Sequence, residues 1–175
     1  KEMGCNAIRT AHNPPSPEQL DACDRLGMLV IDEAFDSWEQ AKHGQLSNGY
    51  NALFPEWAER DLSALIRRDR NHPSVIMWSI GNEIPEQSSP RGAELAAWMA
   101  GICRREDPTR PSTCGYNQGP DAEKNGLCDA VDIVGLNYEH HNYKTFRQQH
   151  PHWIVYGSET DSCVSSRGVY DHAIF

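Results

Sequence analysis

The amino-acid sequence predicts an α/β fold, a partial (β/α)8 TIM barrel of about six strands. Three observations predict it. Short apolar segments alternate with amphipathic helical ones along all 175 residues. The clearest strand candidates are continuous apolar runs, as in parallel strands buried on both faces. Polar and acidic residues follow those runs directly, where a parallel barrel collects its active site. An open doubly wound sheet is the alternative. A complete barrel takes roughly 250 residues, so this chain would supply about six of eight units.

Asn6 to Thr10 reads as a short strand. Ser16-Pro17-Glu18 then opens a helix, with Ser as cap, Pro in the first turn and Glu at the positive dipole end, and Gly27 closes it after Leu26. Met28 to Asp32 is a buried strand, and a loop rich in Gly, Ser and Asn leads to a helix from Pro55 to about Arg70. Ala58, Leu62, Leu65 and Ile66 form its apolar stripe, and Asn71-His72-Pro73 ends it. Ser74 to Ile80 is the most apolar strand and delivers Gly81-Asn82-Glu83. Gly92 to Glu106 is a helix with Leu95, Trp98, Met99 and Ile102 as its buried stripe. Strands at Pro111 to Gly115, Asp132 to Leu136 and Trp153 to Gly157 complete the series, with a short helix around Lys144 to His150. No repeat, low-complexity tract or linker divides residues 1–175, so they are read as one domain.

Sixteen Lys and Arg against 25 Asp and Glu leave a net charge of −9, and the Arg67-Arg68-Asp69-Arg70 run is interrupted by acid. Nucleic acid and anionic membrane are thereby set aside as partners. Hydrophobic residues make up 38% of the chain with no run long enough to span a bilayer, which fits a globular domain. The 6 cysteines lack Cys-x-x-Cys spacing, so most are expected to be buried free thiols. The sequence lacks an initiator Met and stops within an apolar run, and it reads as an excerpt of a longer chain. The compartment stays open between cytoplasm and periplasm or secretion in a bacterium.

Arg9 and His12 follow the first strand, Asp32, Glu33 and Asp36 the second, Asn82 and Glu83 the third. Tyr116 and Asn117, Asn137 and Tyr138, and Glu159 follow the later ones. A glutamate directly beyond a buried strand is desolvated, which raises its pKa. Two such carboxylates, Glu83 and Glu159, are what glycoside hydrolysis needs, one to protonate the leaving oxygen and one to attack the anomeric carbon. A separation of about 5 to 5.5 Å gives retention and roughly 6.5 to 9.5 Å gives inversion.

Asn6 to Pro14, Val30-Ile31-Asp32-Glu33-Ala34, Arg68 to Glu83 and Gly157-Ser158-Glu159 resemble the catalytic barrel of glycoside hydrolase family 2, which includes β-galactosidases, β-glucuronidases and β-mannosidases. The resemblance runs from barrel strand two to just past strand seven, and it implies Glu83 as acid/base, Glu159 as nucleophile and a retaining reaction. It implies that Asn82 bonds the sugar 2-hydroxyl, that Tyr138 and Arg9 stand beside the nucleophile, and that His12 lines the sugar pocket. The expected activity is that of an exo-acting β-glycosidase, β-galactosidase-like, without a cofactor. The Glu-x-His magnesium motif of some relatives is replaced by Ser37-Trp38-Glu39, so no metal site is carried over. The resemblance carries no counterpart of the carboxylate-recognising Asn-x-Lys motif of β-glucuronidases onto this chain, and the tail from Ser158 to Tyr170 looks most like bacterial β-galactosidase-type members.

Several residues keep two readings. Trp38 is either a core residue or a platform for sugar stacking, and Arg9 is either an ion-pair partner or a direct substrate contact. Asp32 and Glu33 are read as barrel-stabilising hydrogen-bond partners, with Asp36 the sugar contact in that loop. His72 is read as structural and His140-His141 as a solvated loop. A non-catalytic carbohydrate-binding module on the same barrel is the rival function, but both glutamates are intact. A flavodoxin-like module lacks its phosphate loop at Thr10 to Pro15. The expected partners are a carbohydrate and the rest of the parent chain, whose missing strands would close the barrel, and a homo-oligomer is left open.

Overall fold

The computed structural model describes residues 1–42 and 49–161. The expected features at 165–170 and Cys163, like the middle of the Gly/Ser/Asn loop, lie outside the described residues. Among those residues, the strands are β1 (Ala7–Arg9), β2 (Leu29–Glu33), β3 (Val75–Asn82), β4 (Ser112–Tyr116), β5 (Ile133–Asn137) and β6 (Ile154–Glu159). They form one six-stranded sheet in sequence order, every neighbouring pair parallel. Sequential order with a crossover after each strand curls the sheet into part of a TIM barrel, and no doubly wound strand reversal occurs.

The helices are α1 (Pro17–Leu26), α2 (Phe54–Asp69), α3 (Pro90–Glu106), α4 (Gly119–Lys124), α5 (Leu127–Ala130) and α6 (Tyr143–Gln149). Ser16 Oγ accepts from the Gln19 amide at 3.2 Å, and Gly27 closes α1 in the left-handed region at φ 63°. That conformation costs a residue with a Cβ, so glycine is the natural stop. The α2 stripe is buried as expected from its spacing. In α3, Leu95, Met99 and Ile102 are buried, but Trp98 is half-exposed and sets its ring edge-on to Phe54 at 6.3 Å. Trp98 sits about 60° from Leu95 on the helical wheel, at the margin of the stripe, where its long ring reaches past the core into solvent. The short helices α4 and α5 were not legible, because four to six residues are too few for a 3.6-residue period to stand out.

The core lies between sheet and helices and is built on Trp38, Phe54, Leu62, Ile66, Trp78, Ile80, Met99 and Leu127, all nearly inaccessible. No described helix is long and apolar enough to cross a membrane. Cys23, Cys103, Cys114 and Cys128 are buried free thiols, whereas Cys5 is exposed. His72 Nδ1 lies 2.7 Å from Asp24 Oδ2 and ties the end of α2 to α1. His140 and His141 sit exposed in a short turn.

Strands β3, β5 and β6 run one or two residues further than their apolar character suggests, through Asn82, Asn137 and Glu159. The pairing of β3 with β4 is irregular between Ser79 and Asn82, and this local break aims the end of β3 inward. Gly81 lies in that stretch, where a Cβ would come within 2.7 Å of Trp38 Nε1. Trp38 is therefore a core residue. It is 0% exposed, and its indole donates to the Ile80 carbonyl at 2.8 Å. The sugar-stacking reading of Trp38 gives way, because neither ring face is accessible.

Candidate active site

The open C-terminal end of the sheet holds a connected set of polar side chains around Arg9. As the last residue of β1, Arg9 is bracketed by two carboxylates and an amide. Its Nε donates to Glu33 Oε2, its Nη1 to Glu159 Oε1 and its Nη2 to Asn82 Oδ1, each at 2.7 Å. Burial pulls a guanidinium toward neutrality, but Glu33 and Glu159 outweigh it and hold Arg9 firmly cationic.

Glu33, at the end of β2, is 0% exposed and fully engaged. Besides Arg9 it accepts from Ser79 Oγ at 2.6 Å, and His12 Nδ1 lies 2.7 Å from its other oxygen. Its own backbone amide donates to Thr10 Oγ1. Glu33 thus reaches no open space and acts as the anchor for Arg9 and His12. Its hydrogen bond raises the His12 pKa, with burial opposing. With the Nδ1 proton directed to Glu33, His12 Nε2 faces the Asn82 amide at 3.4 Å and Glu159 at 3.6 Å.

Asp32, one residue earlier, points the opposite way, as strand alternation requires. It is buried against α2, where Asp69 is clamped by Arg68 through two 2.6 Å bonds. Burial, together with the neighbouring Asp69 charge, pushes the Asp32 carboxyl up to about 8. This pair supports the barrel wall and takes no part in the site.

Glu159 ends β6 and is partly exposed. It accepts from Arg9 and from the Tyr138 hydroxyl in a short hydrogen bond. Burial would raise its pKa, but the bonds from Tyr138 and Arg9, with the Arg9 charge, bring it below the ordinary glutamate value. Its partner Tyr138 is raised to about 12, chiefly because its proton is shared with Glu159. Tyr138 and Glu83 both adopt positive φ, 59° and 45°. Each is the residue just beyond a strand, and each still pairs with the neighbouring strand, Glu83 N to Gly115 O and Tyr138 N to Glu159 O. The left-handed turn thus aims both side chains over the end of the sheet, at a cost typical of functional positions.

Among the described residues, Glu83 receives a single hydrogen bond from a side chain, from Asn137 Nδ2 at 3.0 Å. Asn137 also donates to Asn82 Oδ1 at 2.9 Å and accepts from Ser158 Oγ at 2.6 Å. Asp36 accepts from Asn82 Nδ2 at 3.3 Å and pairs with Lys42 at 2.5 Å. Of the residues read from the sequence, Glu83, Glu159, Asn82, Tyr138, His12, Arg9 and Asp36 come together here, and Trp38 does not. Tyr116 is buried in the core and Asn117 bonds Gln87 away from this cluster. Asn137, read from the sequence as a strand-end residue, and Ser158, read as part of the Gly157-Ser158-Glu159 motif, also belong to the site, although sequence reasoning assigned neither a role. Their signal was slight, since each is a polar residue closing an apolar strand directly before Tyr138 or Glu159.

Among the described residues, one grouping is compact enough for a cation, Asp21, Asp24 and His72. It lies at the opposite end of the sheet, and Asp24 is already occupied by His72 and the Ser74 amide.

The sequence profile described as "Glycosyl hydrolases family 2, TIM barrel domain" matches residues 1–161. The chain is 37% identical to the β-galactosidase BoGH2A of Bacteroides ovatus, over 97% of this chain and 23% of that protein. It is 34% identical to the β-glucuronidase of Rattus norvegicus, over 77% of this chain and 20% of that one. In structure it resembles a glycosyl hydrolase family 2 member from Bacteroides cellulosilyticus, with a TM-score of 0.85 and 43% identity over 91% of this chain and 20% of the other. The chain thus spans about a fifth to a quarter of the length of these relatives. With a matching profile across nearly its whole length and six barrel strands in family order, the chain belongs to glycoside hydrolase family 2 and represents part of its TIM barrel domain.

Proposed function

We propose that the protein containing this chain is a retaining exo-β-glycosidase, with Glu159 as nucleophile and Glu83 as general acid and base. The observation that carries this reading is the unequal treatment of the two carboxylates. Glu159 is met by a guanidinium and a phenol, which favour the anion needed to attack an anomeric carbon. Among the described residues, Glu83 meets only a neutral amide donor and no cation. In the first half-reaction Glu159 forms the bond to C1 while Glu83 gives its proton to the leaving oxygen. In the second, Glu83 takes a proton from water as that water displaces Glu159. Asn82, held by Arg9 and Asn137, is placed to bond the sugar beside C1, with His12 and Asp36 lining the same rim.

A β-D-galactoside is the substrate this reading favours, supported by relatives named β-galactosidase. A β-glucuronide is the second reading, supported by relatives named β-glucuronidase. Hydrolysis of aryl β-galactoside, glucuronide, mannoside and glucoside by the longest form of the protein, with Glu159→Gln as blank, tests both. Release from one sugar that vanishes in the variant is expected. A folded protein that cleaves none of them overturns the glycosidase reading and favours carbohydrate binding without catalysis.

A further inference from the structure

The amide of Asn137 stands between the two halves of the site, and its orientation follows from the far end of the chain of hydrogen bonds. Arg9 can only donate. Its Nη2 therefore fixes the Asn82 oxygen toward itself. Asn137 Nδ2 shares that same oxygen at 2.9 Å and donates at the same time to Glu83 Oε1 at 3.0 Å. Ser158 Oγ donates to Asn137 Oδ1 from the other side at 2.6 Å. Turned by 180°, the Asn137 amide would set its oxygen against the Asn82 and Glu83 oxygens. Asn137 is 0% exposed, so water cannot relieve such a clash.

Two glycines make room for this arrangement. A Cβ on Gly115 would lie 3.0 Å from Asn137 Oδ1, 3.1 Å from Arg9 Nη2 and 3.3 Å from Asn82 Oδ1. A Cβ on Gly135 would lie 2.8 Å from Ser158 Oγ. The backbone is thus stripped of side chains where the network has to pass.

We infer that Asn137 is a positioning residue for Glu83 that assigns separate tasks to its two oxygens, an inference resting on the acid/base reading of Glu83. Oε1 is kept as a hydrogen-bond acceptor, and the transferable proton rides on Oε2. As the C1–O bond breaks, its electron pair goes to the leaving oxygen, the Oε2–H bond breaks and the proton passes to that oxygen. Glu159 supplies the new bond to C1. Glu83 is left a carboxylate with Oε1 still bonded to Asn137, so Oε2 faces the incoming water without turning. Asn137 serves both half-reactions because its N–H bond is compatible with either protonation state.

The test is the leaving-group dependence of kcat/KM in the longest form of the protein, on phenyl and 2,4-dinitrophenyl glycosides of whichever sugar it cleaves. A phenolate needs the proton from Glu83, whereas a dinitrophenolate does not. Asn137→Ala is expected to lower kcat/KM on the phenyl glycoside by about 10- to 100-fold more than on the dinitrophenyl glycoside, part of the general-acid contribution, with a smaller loss common to both substrates from the release of Asn82. In a Glu83→Ala background the difference between the two substrates caused by Asn137→Ala should vanish. Equal losses on both substrates, or a selective loss that persists in that background, overturn the proposal and make Asn137 a plain structural residue. If Glu83→Ala itself shows no leaving-group selectivity, it is the acid/base reading that has failed. Should Asn137→Ala not fold, Ser158→Ala frees the other end of the amide, and a smaller selective loss is expected. An unselective one overturns the inference.

Discussion

Arg9 and Glu159 stand 150 positions apart in the chain, yet the guanidinium Nη1 lies 2.7 Å from the carboxylate Oε1. One cation on the first described strand thereby sets the ionisation of a carboxylate on the last. The same guanidinium is held from behind by Glu33, which leaves it no freedom to follow substrate.

Replacing Arg9 by Met should lower kcat/KM by roughly 10- to 100-fold, since a hydrogen bond between charged groups contributes about 1.5 to 3 kcal/mol and every 1.4 kcal/mol is about tenfold. Steady-state kinetics on the cleaved aryl glycoside checks this. An unchanged rate would mean that Glu159 does not depend on Arg9.

Tyr138→Phe removes a donor that favours the Glu159 anion. The wild-type carboxylate lies below the ordinary glutamate value, so the active, ionised form persists into mild acid. Without the phenol its pKa rises, and the acid limb of the kcat/KM profile should shift to higher pH. Tyr138 itself, raised to about 12, stays protonated throughout that range and contributes no limb of its own.

Glu33→Gln tests the anchor. It swaps a buried carboxylate with partners in Arg9, Ser79 and His12 for an amide that must turn one N–H toward a donor. Breaking a buried pair in this way costs about 3 to 5 kcal/mol, to be read from urea unfolding. The variant should also lower the pKa of His12, measurable by proton NMR, because the hydrogen bond that raises it is weakened.

Asp32→Asn separates stability from catalysis. The folded carboxyl is raised from the ordinary 3.8 to about 8, so its contribution is fully present below the unfolded pKa and is lost as pH rises through the folded one. The thermal midpoint of the wild type should therefore fall between about pH 4 and 8, where the folded state holds a proton that the unfolded chain has released. The amide that this substitution introduces does not titrate, so the slope should flatten in the variant while leaving-group selectivity stays as it was.

Much of this protein was determined by its sequence alone. Continuous apolar runs such as Val75 to Ile80, separated by striped helices, admit little but a parallel sheet, and the cap at Ser16 and the stop at Gly27 act within a few residues of themselves. The family motifs placed Glu83, Asn82 and Glu159 beyond the strands. Tertiary structure alone decided where the strands end. Asn82, Asn137 and Glu159 are polar and look like loop, but the neighbouring strand supplies their backbone partners and extends the ladder through them. It also sent Trp38 into the core, because the bare backbone of Gly81 receives an indole that local sequence cannot foresee. Finally, it set the polarity of the line from Arg9 through Asn82 and Asn137 to Glu83. Those residues come from separate strands and a strand end, and the direction of each hydrogen bond depends on the donor at its far end rather than on any spacing along the chain.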